Sequence, residues 1–219
     1  MLGVYVTVPV ACFRKGLARE YLETELLPPP ATCYGFLLSL VGEADRRKHI
    51  GCRVTAVLLN KPPTSVVLRT VWRVKKTPLG SPGNTRPDYQ QLLTGPSRND
   101  PFVALIMWLD STEEPDTGPK LESRVREALT DPSTVTRFGG LSLGESTHLV
   151  DEVSLMDRKK QSLPDHGRAF LTAPKGRMTL PVWVDHVGSA GTRYATGSLV
   201  EQSVSTPPNR NDLPRISPE

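Results

Sequence analysis

The chain has 219 residues, 37% of them hydrophobic and 23% charged, and a formal net charge of +4. No stretch approaches the roughly 20 consecutive apolar residues of a membrane-spanning helix, and the start of the chain lacks the basic flank and cleavage site of a signal peptide. We therefore expect a globular, cytoplasmic protein with no membrane partner. Its 3 cysteines form no CxxC pair, which argues against a zinc site and a disulfide framework and predicts buried, reduced thiols.

The first 60 residues predict a strand, a helix and a second strand. Valines alternate with other residues over 1–10, as in a strand with one buried face. The prolines at 28–30 predict a rigid, extended segment before the helix, with Thr32 as its N-cap. Apolar residues over 36–41 have helical spacing, and the β-branched run over 52–60 predicts the second strand.

A glycine near the start of this helix, Gly35, has two explanations. It either allows the helix to pack closely on a sheet, or it leaves room for a large ligand at the end of the helix. Free N–H groups and a partial positive charge make a helix start an anion site, so the second explanation points to a sugar-phosphate backbone. The sequence leaves both explanations open.

A long hairpin is predicted after the second strand. Residues 65–76 are rich in β-branched side chains and predict one strand, and 89–93 predict the return strand. The connection between them is rich in glycine and proline, as flexible tips are. The predicted hairpin spans 65–95.

Positive charge is concentrated on this hairpin. Residues 61–99 carry seven basic side chains and one acidic one, whereas 100–152 carry four basic and eleven acidic ones. Arg69, Arg73 and Lys75 share one face of the first strand, because side chains alternate along it. This pattern predicts a binding surface for a polyanion. A solvated basic hairpin without a ligand is the alternative.

The second half of the chain predicts further strands and one helix. The apolar run over 102–110 predicts a central strand, and 120–132 predict an amphipathic helix stopped by an Asp-Pro pair. A glycine-rich turn and a strand follow over 137–153, and a late hairpin is predicted over 180–201. The last residues, 205–219, have the composition of a disordered tail.

The order of these elements predicts an α+β fold. Without the hairpin it is β-α-β-β-α-β, the ferredoxin-like (RRM-like) arrangement, with the hairpin as an inserted thumb. We assign this domain to 1–155, a β-rich C-terminal extension to 156–204, and the tail to the remainder. The fold by itself assigns no function.

Three features resemble the CRISPR-associated Cas5 family, the RAMP subunit of type I Cascade complexes that holds the 5′ end of the guide RNA. They are the Pro-x-Thr-x-x-Gly lead into the first helix at 30–35, the basic hairpin between the second and third core strands, and a Leu-Gly turn at 143–145. The resemblance covers about 1–155, and it depends on the order and spacing of motifs that are individually short.

The resemblance implies a non-catalytic subunit without metal or cofactor. Such a subunit binds and caps the crRNA 5′ handle, docks the large PAM-reading subunit and the Cascade backbone subunit, and meets target DNA only indirectly. Base pairing by the guide, and not this protein, then carries target specificity. The role is in antiviral defence or in other RNA-guided DNA targeting. The acidic segment 100–152 is a candidate face for the large subunit.

The predicted RNA contacts are basic side chains, residues of the helix start and residues of the late glycine turn. Tyr34 is a candidate for stacking on an unpaired base, with a place in the core as its alternative. The glycine turn either borders the RNA cleft or is a plain β-turn. The candidates are Phe13, Arg14, Lys15, Thr32, Tyr34, Gly35, Arg46, Arg47, Arg69, Arg73, Lys75, Arg86, Gly144, Glu145 and Ser146.

Two alternative functions stay open. One branch of the family cuts the guide precursor without a metal, using a tyrosine, a lysine and a histidine, and the adjacent Lys48 and His49 superficially resemble its Lys-His pair. They lie earlier in the chain than that pair, so we do not assign them a catalytic role. The second alternative is an assembly protein whose basic hairpin binds an acidic protein partner instead of RNA.

Overall fold

The computed structural model describes residues 1–16, 21–72 and 85–219, and it leaves out the side chains of 70–72 and 85–87. Within these residues no helix is both long and apolar enough to cross a membrane. In chain order the elements are β1 (Leu2–Val8), β2 (Val10–Ala11), β3 (Phe13–Lys15), β4 (Tyr21–Glu25), α1 (Pro30–Leu40), β5 (Arg53–Leu58), β6 (Thr64–Trp72), β7 (Thr85–Thr94), β8 (Val103–Asp110), α2 (Leu121–Thr130), β9 (Glu152–Leu155), β10 (His166–Thr172), β11 (Met178–Trp183) and β12 (Arg193–Ser203).

The strands form two sheets, and two helices pack against the larger one, so the predicted α+β class is confirmed. The larger sheet has seven antiparallel strands in the order β11-β12-β10-β5-β8-β1-β9. The smaller sheet has the order β2-β7-β4-β3, with β6 paired to β7. The four predicted core strands are neighbours in the larger sheet, and the three strands of the C-terminal extension continue it beyond β5.

One face of the larger sheet packs against both helices. The predicted alternation in β1 is confirmed, because Val4, Val6 and Val8 are fully buried on this face. They contact the apolar side of α1, whose Leu37 is also fully buried. Each such side chain contributes about 1.5–3 kcal/mol by leaving water. This core fixes α1 on the sheet and leaves the opposite side of the helix exposed.

The other face of the larger sheet is covered by the C-terminal part of the chain. Ile106 and Trp108 of β8 are buried there against Val204 and Leu213. A sheet face of this kind is where RNA-recognition motifs stack bases on aromatic side chains. In this protein the face lies under the chain's own last residues.

The last 15 residues are ordered, so the prediction of a disordered tail is wrong. Leu213 and Ile216 are 0% exposed. The backbone of Ile216 donates to Cys52 O at 2.8 Å and accepts from Gly51 N at 2.9 Å, while Val54 N donates to Pro214 O at 3.1 Å. The tail thus pairs with the start of β5, where β10 does not reach. The segment is rich in proline and polar residues, so its composition did not indicate that Leu213 and Ile216 are buried.

The predicted cap of α1 is also wrong. The helix begins at Pro30, and the carbonyl of Pro29 accepts from Thr32 N at 2.8 Å and from Cys33 N at 3.0 Å. Thr32 therefore lies inside the first turn. A proline in the first helical position has a preset φ and no N–H to satisfy, which is why the proline run starts the helix itself.

The predicted pairing of the two hairpin strands is confirmed, and the hairpin is also part of a larger sheet. β6 and β7 pair without interruption from Thr64 and Leu93 to Trp72 and Thr85. Beyond its pairing with β6, β7 pairs with β2 and, in parallel, with β4. The base of the hairpin is therefore held in a five-stranded sheet. Its outer part, with Arg73 and Lys75, lies outside the described residues, as does the side chain of Arg86.

Candidate nucleic-acid interface

An open cleft of about 360 Å³ runs along the exposed side of α1. Its floor is the helix, and its walls are the loop before β9 and the end of β11 with the loop that follows. None of the described residues lining it is acidic. The lining residues are Ala31, Thr32, Tyr34, Gly35, Phe36, Leu38, Ser39, Arg46, Ser142, Gly144, Val182, Trp183, Val184 and His186.

Gly35 faces this cleft and not the sheet. It is exposed, and a Cβ built on it has none of the described atoms within 4 Å. The explanation that Gly35 allows close helix packing is therefore wrong. Because a glycine inside a helix costs about 0.5–1 kcal/mol relative to alanine, its presence here leaves the cleft open at the expense of helix stability.

The cation of the cleft is Arg46. Its guanidinium lies 3.8 Å from the ring centroid of Trp183, and its Nη2 donates to the carbonyl of Val184 at 2.5 Å. A cation over an indole ring gains electrostatic energy and is held in one orientation. The cleft therefore presents a fixed positive charge, although the helix start offers little more, because Thr32 N and Cys33 N are already bonded to Pro29.

Tyr34 belongs to the core, so its assignment as a base-stacking residue is wrong. It is 4% exposed, and its hydroxyl donates to the carbonyl of Arg46 at 2.8 Å. Burial raises the pKa of Tyr34 well above its ordinary value. This hydrogen bond ties the backbone of Arg46 to α1.

The late glycine turn borders this cleft through Gly144. Gly144 has φ +98°, and a Cβ on it would lie 2.6 Å from the carbonyl oxygen of Cys12. Only glycine fits this approach. The turn is also held by His148, whose Nδ1 accepts from Cys12 N–H at 3.2 Å. Burial lowers the pKa of His148 and favours the neutral ring that can accept this bond.

Comparison with known proteins identifies the chain. No family model matches it. The CRISPR-associated protein Cas5 of Myxococcus xanthus (strain DK1622) is 55% identical to it over 218 residues, covering 99% of this chain and 97% of that protein. The chain belongs to the Cas5 family. The resemblance to this family drawn from the sequence is thus confirmed.

Two solved structures share the fold of this Cas5 chain. A chain of a structure described as a CRISPR RNA-guided surveillance complex superposes with a TM-score of 0.60 at 13% identity, covering 96% of this chain and 95% of that one. A second, described as the crystal structure of a Cas protein, has a TM-score of 0.51 at 14% identity and covers 100% and 99%. At such low identity the likeness concerns the fold.

Two of the predicted RNA contacts bind each other. Arg69 Nη1, on β6, lies 2.9 Å from Glu145 Oε2 and donates to Gln90 Oε1 at 2.7 Å. The base of the hairpin is thereby joined to the glycine turn. A phosphate that reaches Arg69 has to displace Glu145, so this cation is not freely available to RNA.

The other predicted residues are scattered around the cleft. Phe13 is 1% exposed and belongs to the core, which makes it unsuitable for stacking. Arg14, Arg47 and Ser146 are exposed but do not line the cleft. Lys15 is exposed, with Glu23 3.9 Å from its Nζ.

Sequence analysis missed the wall that the C-terminal extension contributes. Trp183 and His186 come from "LPVWVDHV", and Ser142 comes from the residues just before the Leu-Gly turn. The extension carries no motif with a known spacing. A tryptophan followed within three residues by a histidine was the available signal, but only the sheet order brings it beside α1.

Lys48 and His49 are engaged in structural contacts. His49 is buried, its Nδ1 lies 2.7 Å from Glu114 Oε2, and its Nε2 lies 2.9 Å from Arg124 Nη1. Because a guanidinium only donates, Nε2 accepts and Nδ1 donates to Glu114. The carboxylate of Glu114 also accepts from Leu121 N at 3.1 Å and so caps α2. Lys48 pairs with Glu43 at 2.8 Å.

The Glu43 carboxylate gives this network a pH dependence. The hydrogen bond from Lys48, with further bonds from Arg124 and Asp45 N, outweighs burial and lowers its pKa to about 2. A depressed folded-state pKa stabilises the fold above the unfolded-state pKa, and that stability is lost as pH falls through the folded-state value. The loss is therefore expected between about pH 5 and pH 2.

We expect Glu43→Gln to lower the free energy of unfolding by about 1.5–3 kcal/mol at pH 7, because it removes charge-assisted hydrogen bonds from a carboxylate that is mostly buried. The difference from the unmodified chain should shrink as the pH approaches 2. Urea unfolding at a series of pH values measures both. Asp116→Asn is the control: this carboxylate also pairs with a lysine but is 96% exposed, so no measurable change is expected. A constant difference across pH would contradict the assignment.

Proposed function

We propose that the chain is a non-catalytic subunit of a type I CRISPR surveillance complex, or Cascade, that acts in the cytoplasm and holds the crRNA 5′ handle in the cleft along α1. The observation that carries the proposal is the open space over Gly35 in the cleft that Arg46 borders. Membership of the Cas5 family, together with a fold shared with a chain of an RNA-guided surveillance complex, supports it.

The strand order suggests how RNA is bound. We interpret β9-β1-β8-β5 with its two helices as a ferredoxin-like, RRM-like core. RNA-recognition motifs bind RNA on the sheet face that the helices leave free, but here that face is covered by Val204 and Leu213. The cleft on the helix side is therefore the favoured site for RNA.

The chemistry of the cleft suits a single-stranded handle. Arg46 supplies a charge for phosphate, and hydroxyl groups of Thr32, Ser39 and Ser142 line the cleft as donors and acceptors. Single-stranded RNA exposes both its backbone and its base edges. Since Gly35 adds no side chain, the backbone of the RNA can approach the helix closely.

The absence of catalysis is part of the proposal. A metal-independent ribonuclease needs a general base that reaches the 2′-hydroxyl of its substrate. His49 is buried and engaged at both ring nitrogens, which supports a structural role. His186 lines the cleft, and His148 accepts a backbone N–H. Incubation of the protein with repeat RNA is expected to leave the RNA uncut.

Docking of the large subunit and of the backbone subunit completes the proposed role. The exposed acidic side chains of the segment 100–152 suit a basic partner surface, and the hairpin, joined to the glycine turn through Arg69 and Glu145, suits a contact with the backbone filament. These contacts bring the guide near target DNA, which the chain itself meets indirectly.

The test compares two neighbouring arginines. Arg46 lines the cleft and Arg47 does not. We expect Arg46→Gln to weaken binding of a labelled handle RNA by about tenfold, while Arg47→Gln leaves it nearly unchanged, because a charge-assisted phosphate contact contributes about 1.5 kcal/mol or more. Fluorescence anisotropy at two salt concentrations measures the affinities, and the melting temperatures show whether each variant folds.

Specificity and salt dependence decide between the proposal and its alternatives. The proposal requires the handle to bind more tightly than a scrambled RNA. It also requires the affinity to fall as the salt concentration rises, because each phosphate contact releases counterions. Equal binding of both RNAs, unaffected by Arg46→Gln, would overturn it in favour of an assembly protein.

A further inference from the structure

The outer edge of β9 is open. β9 is the last strand of the larger sheet, and no other strand that the structure describes pairs with its free side. Because neighbouring strands are joined by backbone hydrogen bonds, an unpaired edge presents a regular row of N–H and C=O groups. Such an edge can accept one more strand from another chain.

Two residues of β9 direct their backbone groups to this edge. In the pairing with β1, Met156 N donates to Gly3 O at 3.0 Å. Bonded and outward-facing residues alternate along an antiparallel strand, so Val153 and Leu155 turn their N–H and C=O groups away from β1.

The Gln161 side chain occupies one end of the edge. Its Nε2 donates to Leu155 O at 3.2 Å, and its Oε1 accepts from Asp157 N at 2.8 Å. An amide bonded in this way takes the place of a peptide group of a further strand, and it confirms that Leu155 faces outward. Among the described residues, the N–H groups of Val153 and Leu155 and the carbonyl of Val153 have no such partner.

A groove of about 740 Å³ runs beside this edge. Leu129, at the end of α2, gives it an apolar wall on one side of the sheet, and Tyr5 and Met156 give it one on the other side. The side chains of a strand alternate between the two faces of its sheet. The groove can therefore receive both sets of side chains of an added strand.

Negative charge lies beside the open part of the edge. Asp151 and Glu152 are exposed, and neither forms an ion pair with a residue that the structure describes. Burial raises the pKa of Tyr5, and the charges of Glu152, Asp100 and Asp151 raise it further. One cation among the described lining residues, Lys160, lies on the loop after β9. The open part therefore repels a phosphate backbone and attracts lysine or arginine side chains.

We propose that the outer edge of β9 binds an extended segment of a partner protein, rich in lysine or arginine, which adds a strand to the larger sheet. The inference rests on the proposed function, since the partner is a protein of the same surveillance complex. Backbone hydrogen bonds to Val153 and Leu155 supply the affinity. Cations beside Asp151 and Glu152 select the partner, because opposite charges across an interface favour one partner over others.

Amide hydrogen exchange, resolved to single residues, tests the added strand. It compares the isolated chain with the complex purified from co-expressed Cascade subunits. The amides of Val153 and Leu155 are expected to exchange about tenfold more slowly in the complex, because hydrogen-bonded amides are protected. The amide of Met156, which already donates to Gly3, is the internal control and should be protected in both samples.

Three results would overturn the proposal. The first is unchanged exchange of Val153 and Leu155 in the complex. The second is the same protection when handle RNA alone is added, which would make RNA the occupant of the edge. The third is the same protection when the concentration of the isolated chain is raised, which would make a second copy the occupant.

Charge reversal tests the chemistry of the partner. Asp151→Lys/Glu152→Lys in the full chain is expected to reduce the protection of the β9 amides in the complex about fivefold or more, since like charges at an interface repel. Glu201→Lys, which reverses an exposed carboxylate on β12 of the same sheet, is the control and should leave the protection unchanged. Melting temperatures show whether each variant folds. Full protection of the β9 amides in the folded double variant would overturn the proposed basic partner.

Arg46→Gln, measured on the handle RNA in parallel, keeps this inference separate from the proposed function. If it weakens handle binding while the β9 amides stay unprotected in the complex, the handle cleft stands and the added strand is overturned. If the β9 amides are protected in the complex but Arg46→Gln leaves handle binding unchanged, the added strand is supported and the handle cleft is overturned.

Discussion

Gly35→Trp is expected to abolish specific binding of the handle while leaving the protein folded. The indole would stand in the cleft, because a Cβ on Gly35 points into open space and none of the described atoms lies within 4 Å of it. An RNA backbone that needs this space would lose its contacts with Arg46 as well as its place on the helix. We expect a loss of at least 2–3 kcal/mol, about 30-fold or more in affinity.

Gly35→Ala is the matched control. Alanine adds one methyl group to the floor of the cleft and replaces the residue that costs the helix about 0.5–1 kcal/mol. The free energy of unfolding should rise by that amount, and handle binding should fall far less than with tryptophan. Urea unfolding and anisotropy on the three proteins measure both quantities. Unchanged handle binding by the folded Gly35→Trp protein would show that RNA does not occupy this cleft.

Ile216→Ala is expected to cost about 2–4 kcal/mol of stability, more than a substitution in a terminal segment usually does. Ile216 is 0% exposed, and its backbone makes two hydrogen bonds to the residues before β5. Removing a fully buried aliphatic side chain loses its transfer free energy and leaves a cavity. The midpoint of urea unfolding should fall while its slope stays constant.

Glu219→Gln provides the control for Ile216→Ala, because it lies three residues further along and is exposed. Its unfolding curve should coincide with that of the unmodified chain. If the tail did not contribute to stability, the unfolding curve of Ile216→Ala would also coincide with that of the unmodified chain. That result would contradict the pairing of the tail with β5. Deletion of 206–219 should destabilise the protein further, since it removes Leu213 as well.

Patterns of neighbouring residues predicted the strands correctly where burial and pairing follow from the sequence of the strand itself. Alternation in β1 and the β-branched run of β6 reported burial and pairing directly, because both follow from which face of a strand is covered. The tail was misjudged because order there depends on an open edge of β5 more than 150 residues earlier in the chain. No local feature of the last residues contains that information.

The site was predictable only in part for the same reason. The proline run and Gly35 identified the helix of the cleft, since both act through the backbone. The sequence left Tyr34 between base stacking and the core, because helical spacing alone does not say which side of α1 the sheet covers. Trp183 was missed because its place beside Arg46 results from the order of strands in the larger sheet.

Electrostatic reasoning from the sequence found the charge but not its partners. The hairpin has more basic than acidic residues, yet Arg69 forms an ion pair with Glu145 from the acidic part of the chain. A pattern of charges along the sequence does not reveal such a pairing, because it forms between segments that are distant in the chain.

The most direct test of the account is photo-crosslinking of a handle RNA that carries a photoreactive nucleotide at each position in turn, followed by mass spectrometry of the joined peptides. We expect crosslinks to the α1 peptide around Gly35 and Ser39 and to the peptide that contains Trp183, and we expect excess unlabelled handle to remove them. Crosslinks confined to other surfaces, with none to these two peptides, would contradict the claim that the cleft along α1 holds the 5′ handle.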